Sequence, residues 1–118
     1  MFDSCEKLVV LDLSCFNTSN VSSLGGMFID CSSLEKVNVT SFNTSNVTDM
    51  DGMFAGCKKL SKLDLAGFDT SNVTDMDTMF LWCESLKELD LSNFDVTNVT
   101  SAFNMFRKCP APKPDWYD

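Results

Sequence analysis

The chain has 118 residues, enough for one small domain, and carries 9 basic against 17 acidic side chains, a net charge of −8 with no histidine. That balance excludes nucleic acid as a partner, because binding it needs Lys/Arg patches that displace counterions, and it excludes attachment to anionic lipid by charge. The apolar runs are far too short to span a bilayer, so no membrane insertion is expected of this chain.

One pattern recurs every 26 residues without insertion. Ser71–Cys83 repeats Ser45–Cys57 almost unchanged, and looser copies run from Ser19 to Cys31 and from Thr97 to Cys109. Cys5, Cys31, Cys57, Cys83 and Cys109 fall on this period, as do Phe2, Phe28, Phe54, Phe80 and Phe106. A period this strict predicts a solenoid, and four full periods clear the minimum of about three that buries a continuous core. No signal-peptide pattern opens the chain, since Met1-Phe2-Asp3-Ser4-Cys5 already reads as the tail of a repeat. The expectation is therefore a cytoplasmic protein or, preferred here, a piece of a longer exported one.

Each repeat begins with a short strand. Leu11 and Leu13 alternate with the outward Val10, Asp12 and Ser14; Val37 and Val39 alternate with Lys36, Asn38 and Thr40. Leu63 and Leu65 follow with Lys62, Asp64 and Ala66 outward, then Leu89 and Leu91 with Glu88, Asp90 and Ser92 outward. A corner comes next, with Phe16, Phe42, Phe68 and Phe94 turned inward as an aromatic column. Asn20, Asn46, Asn72 and Asn98 never vary, which predicts side chains bonding to the neighbouring coils.

The third part reads as one or two turns of helix. Met50, Met53, Phe54 and Cys57 lie at i, i+3, i+4 and i+7, and the other three repeats keep the same spacing. Ser23, Asp49, Asp75 and Ser101 stand ahead of these segments as N-caps, with Asp51 and Asp77 at the positive end of the helix dipole. Residues 1–109 thus form the repeat array. Residues 110–118, with three prolines, end it as a tail or cap in which Trp116 and Tyr117 fold back over the last coil or extend away.

Cysteine usage points to neither disulfides nor metal. The five periodic cysteines sit once per coil without close Cys-x-x-Cys pairing, and stacked thiols suit the cystine dihedral poorly. They read as a column of buried free thiols, whereas Cys15 stands in a column with Ser41, Gly67 and Asn93 and is expected to be exposed.

Strand, corner and helix within 26 residues is a leucine-rich-repeat plan, an α/β repeat solenoid with one parallel sheet on one side and short helices on the other. The motif Leu-Asp-Leu-Ser-x-Phe-Asp-Thr-Ser-Asn-Val-Thr-Asp-Met-x-x-Met-Phe-x-x-Cys resembles the 26-residue repeats of bacterial surface proteins of the Mycoplasma-lipoprotein and Listeria/Lactobacillus type, related to the BspA-like leucine-rich repeats. The resemblance covers Met1 to Cys109. It implies a secreted or cell-surface location and a role in adhesion or partner binding, and it carries no catalytic residues.

The leading function is a non-catalytic binding module. The outward strand positions Lys36, Asn38, Lys62, Asp64, Glu88 and Asp90 form a mixed polar face suited to a protein or glycan partner. Trp82 shares a column with Asp30, Gly56 and Lys108, so it is expected to face solvent and, with Leu81, to support self-association or partner binding. The bare N-terminal edge with Val9, Leu11, Leu13, Phe16 and Cys15 suggests end-to-end association. Alternatives are a spacer with no ligand, or a ladder solenoid that binds ice through its Thr18/Thr44/Thr70 or Thr48/Thr74/Thr100 columns, or Ca²⁺ through its paired aspartates. No cofactor is expected. An enzyme is disfavoured, since histidine, the commonest acid–base residue, is missing and the column thiols lack cationic neighbours.

Overall fold

The computed structural model describes residues 2–117. The leucine motif of each repeat forms a short strand: β1 (Val10–Asp12), β2 (Lys36–Asn38), β3 (Lys62–Leu63) and β4 (Glu88–Leu89). Pairing is parallel and follows the 26-residue period, with Val10 opposite Lys36, Leu11 opposite Val37, and Lys62 opposite Glu88.

The single sheet expected from the sequence is instead two two-stranded sheets, β1–β2 and β3–β4. Like charges flank the interruption. Like charges directly opposite one another destabilise a strand pair. The break lies between Lys36 and Lys62, and β3–β4 pairing stops one residue before Asp64 would face Asp90. The β1–β2 pair, whose corresponding residues are Asp12 and Asn38, continues through that position.

The predicted helices are absent: among the described residues the Met/Phe/Cys segments are chains of turns. Two residues in each segment are held at positive φ, which a helix does not accommodate. They are Gly26 and Asp30, Gly52 and Gly56, Thr78 and Trp82, and Asn104 and Lys108. Consequently alternate amides point in different directions. The N–H groups of Met53, Ala55 and Cys57 donate three residues back, to Met50, Gly52 and Phe54. Those of Gly52, Phe54 and Gly56 donate instead to the carbonyls of Asp77, Met79 and Leu81 in the next repeat. The i, i+3, i+4, i+7 spacing still marks the inward residues, and Met50, Met53, Phe54 and Cys57 are fully buried.

Expected N-caps become turn and bridge residues. Asp49 Oδ1 accepts from Asp51 N–H and Asp75 Oδ1 from Asp77 N–H, both at 2.9 Å. Ser23, Asp49, Asp75 and Ser101 also link the repeats through successive parallel bridges. This side of the molecule is therefore laddered from the first repeat to the last.

Between the two sides runs a stack of rings, Phe2–Phe28–Phe54–Phe80–Phe106, with centroids 5.4–5.9 Å apart. Tyr117 closes it edge-on to Phe106 at 4.9 Å, so the tail folds back over the last repeat. The corner column pairs Phe42 with Phe68, while Phe16 at the first corner stays exposed. Asn46, Asn72 and Asn98 each donate a side-chain N–H to a carbonyl of the preceding repeat, those of Ser19, Ser45 and Ser71.

The cysteines are free, as the spacing suggests. Cys31, Cys57, Cys83 and Cys109 are buried, and the first three donate S–H to the carbonyls of Phe2, Phe28 and Phe54. Burial pushes the Cys57 thiol up to about 12 and raises Cys83 as well. Cys5 is only half-buried, and Cys15 is exposed.

Candidate functional site

Five of the six outward strand residues singled out in the sequence meet in one open groove. Lys36, Lys62, Asp64, Glu88 and Asp90 line a depression of about 550 Å³ together with Ser61, Val37, Leu63 and Leu89. The three apolar side chains are the inward members of their strands, so the groove has a greasy floor and charged walls. It spans the interval where β2 and β3 are not paired. The sequence did not mark Val37, Leu63 and Leu89 as site residues, because alternation assigns them to the core.

The walls differ in sign along the stack, with two lysines at one end and Glu88 and Asp90 at the other. Asp64 Oδ1 accepts from Ala66 N–H, and Asp90 Oδ1 from Ser92 N–H. The Ser92 hydroxyl and amide hold the Asp90 carboxyl below its usual range, so it stays charged in mild acid. Asn38 lies outside the groove. Its Oδ1 accepts from both the amide and the hydroxyl of Thr40, which ties it to the end of β2.

Trp82 is not brought into this groove. It sits in the turn segment at φ 62°, 44 % exposed, with Lys58 Nζ 5.2 Å from its ring centre. A bulky residue in the left-handed region is uncommon. Its column is one of left-handed positions (Ser4, Asp30, Gly56, Lys108), which explains the variety of side chains there.

The hydroxyl columns divide. Thr18, Thr44 and Thr70 are buried, each hydroxyl clamped to the backbone of the next repeat, as Thr18 is to the amide and carbonyl of Asn43. That removes this column as an ice-facing surface. Thr48, Thr74 and Thr100 are exposed but bond to carbonyls of the preceding repeat. The paired aspartates are engaged in holding turns. Asp49 Oδ2 accepts from Ser23, Asp51 from Thr78, and Asp77 from Ser101 and from Phe103 N–H. Burial, with Asp75, Asp49 and Asp77 nearby, raises the Asp51 carboxyl.

Of the apolar residues expected to be bare at the N-terminal edge, Val9 and Phe16 are exposed beside the exposed Cys15, Leu11 is half-buried, and Leu13 is buried in the core. Copies stacked end to end would meet the tail that already covers Phe106, so such stacking requires the tail to move.

A family model described as "Mycoplasma protein of unknown function, DUF285" matches residues 1–117. No curated protein and no solved structure matches the chain. With one family's pattern running over almost its whole length, the chain belongs to the DUF285 family.

Proposed function

We propose that the chain is a short leucine-rich-repeat-like solenoid, built here from strands and turns, that serves as a non-catalytic binding module of a bacterial surface or secreted protein. The observation that carries this reading is the groove. Period-26 stacking gathers Lys36, Lys62, Asp64, Glu88 and Asp90 over the apolar floor of Val37, Leu63 and Leu89. An apolar floor with charged walls is the usual make-up of a recognition surface. A polar segment of a partner protein fits its two signs better than a uniformly anionic glycan does. Membership of the Mycoplasma family supports a surface repeat. The thiols support a structural role over a nucleophilic one, because burial raises those of Cys31, Cys57, Cys83 and Cys109 away from the reactive range.

The test is retention of the purified chain on arrays of extracellular proteins and of glycans, before and after Lys36→Glu with Lys62→Glu. The reading expects one class of ligand to be retained, with affinity falling about tenfold or more in the double variant and in high salt. Retention that ignores both changes would remove the groove as the binding face.

A further inference from the structure

The groove on the strand face has an internal order. Val37, Leu63 and Leu89 fall 26 residues apart, so its floor is a single column that runs along the stack and across the strands. Lys36, Lys62 and Glu88 wall one side of that column, and Asp64 and Asp90 wall the other. Repeat by repeat, the walls present one positive charge at Lys36, a balanced pair at Lys62 and Asp64, and two negative charges at Glu88 and Asp90. Leu63, 8 % exposed, underlies the balanced row, between the half-buried Val37 and Leu89.

A ligand lying along this floor crosses the strands. The main-chain donors and acceptors of a sheet lie in its plane and are aimed at neighbouring strands, so a crossing ligand gains no ladder bonds from them. That favours a segment whose backbone stays solvated, which is the polyproline-II conformation. Such a segment repeats every three residues at about 3.1 Å per residue, so positions i and i+3 share a face about 9 Å apart. The Lys36 and Glu88 rows are two strand spacings apart, about 10 Å. A β-strand ligand would put residues three apart on opposite faces.

We propose, resting on the reading of this groove as the binding face, that it takes a polyproline-II segment of a partner protein in which an acidic residue and an arginine stand three positions apart with apolar residues between them. The acidic side chain meets Lys36 through a charge-assisted hydrogen bond. The arginine meets Glu88 and Asp90, which stand two residues apart on one face of β4 and its continuation. A guanidinium has five donors in a planar fork and can bond both carboxylates, whereas an ammonium is a compact point charge. The apolar residues between cover Leu63, where Lys62 and Asp64 already balance one another in sign.

The probe is the blocked peptide Glu-Pro-Pro-Arg, titrated into isotopically labelled chain. The expected result is saturable shifting of the Val37, Leu63 and Leu89 signals. Gln-Pro-Pro-Arg and Glu-Pro-Pro-Gln should each bind about tenfold more weakly, with Glu-Pro-Pro-Lys in between. Glu-Gly-Gly-Arg, which keeps both charges without the preformed conformation, should also bind more weakly. Glu88→Gln with Asp90→Asn, both exposed positions, should leave the melting temperature in place and remove the preference for arginine over glutamine. Lys36→Gln should remove the preference for glutamate over glutamine. The proposal is overturned if the floor signals do not move, or if the singly charged or glycine-linked peptides bind equally well. A partner that the Lys36/Lys62 double variant releases, while Glu-Pro-Pro-Arg leaves the floor signals in place, would overturn the proposed segment and keep the groove as the binding face. Retention indifferent to that double variant would overturn both.

Discussion

Where the chain turns, between Ser22 and Asp30 and at the corresponding places in the later repeats, each unit is bonded to the next by a run of main-chain hydrogen bonds and a stack of phenylalanine rings. Where it runs as strand, two or three residues pair, the sheet is interrupted between β2 and β3, and most of the outward residues are charged. The same 26-residue period thus builds a continuous spine on one side and an open, changeable face on the other. The cross-repeat bonding is concentrated in the turn half of the unit and the side-chain variation in the strand half. A spine that holds register lets the strand face vary from Val10 to Lys36, Lys62 and Glu88 without loss of stacking.

The largest contrast should come from truncating a residue in each half. Phe54→Ala removes a fully buried ring in the middle of the stack and should destabilise by about 3–5 kcal/mol. Val37→Ala, on the half-buried groove floor, should destabilise by about 1 kcal/mol. Equal losses in thermal or urea unfolding would erase the distinction between spine and face.

Within the spine, the left-handed positions are not equivalent. A Cβ on Gly56 would collide with Asp30 Oδ1 and lie 3.1 Å from Asp30 Cα, so Gly56→Ala meets backbone as well as strain. It should destabilise by about 2–3 kcal/mol. Gly52→Ala meets nothing closer than the Thr78 hydroxyl at 3.4 Å and should stay near the cost of the left-handed backbone itself, about 1 kcal/mol. Comparable melting temperatures for the two variants would mean the repeats are not packed as closely as this at Gly56.

Alkali should attack the spine first. The Cys57 thiol is raised from 9.0 to about 12 and Cys83 is raised as well, so the folded state binds these protons more tightly than the unfolded chain does. Their contribution is complete below pH 9 and is lost as pH climbs from 9 through the folded value, by up to about 1.4 kcal/mol per pH unit for each thiol. Cys57→Ser should flatten that decline in urea-unfolding free energies measured from pH 8 to pH 11. An unchanged slope would contradict the buried-thiol account.

The smallest effect concerns the face alone. Lys36→Glu places opposite charges across the β2–β3 gap and should extend the pairing, adding a few tenths of a kcal/mol, about 0.2–1. Slower hydrogen exchange at the Lys62 and Leu63 amides would report it; no change there would leave the gap without an electrostatic cause.

Much of this was legible in the sequence, for a definite reason. A strict period fixes which residues share a column, so the buried Met/Phe/Cys face, four of the five column thiols, the asparagine bonds to neighbouring repeats and the exposed Cys15 could be read before any coordinates, whereas the corner column expected to turn inward leaves Phe16 exposed. The turn segment was misread because its inward residues repeat at the helical spacing while its amides alternate between the repeat and its neighbour. The glycines at 52 and 56 signalled this, but Thr78 and Trp82 at the corresponding positions concealed it. The groove was half legible. Its charged walls are outward strand positions, but alternation assigns Val37, Leu63 and Leu89 to the core, whereas Val37 and Leu89 are only half-buried. That Arg107, Lys108 and Lys113 line one pocket was not foreseen, because it depends on the tail folding back beside Phe106.

Native-state hydrogen exchange tests the division of labour most directly, because it reads the spine and the face in one experiment. The amides of Gly52, Phe54, Gly56, Thr78, Phe80 and Trp82, each bonded to the next repeat, should exchange slowest and with one common opening free energy. Those of β2 and β3 should open more readily and independently. Strand amides that outlast the turn amides, or turn amides that exchange nearly as fast as an unfolded chain, would contradict the account.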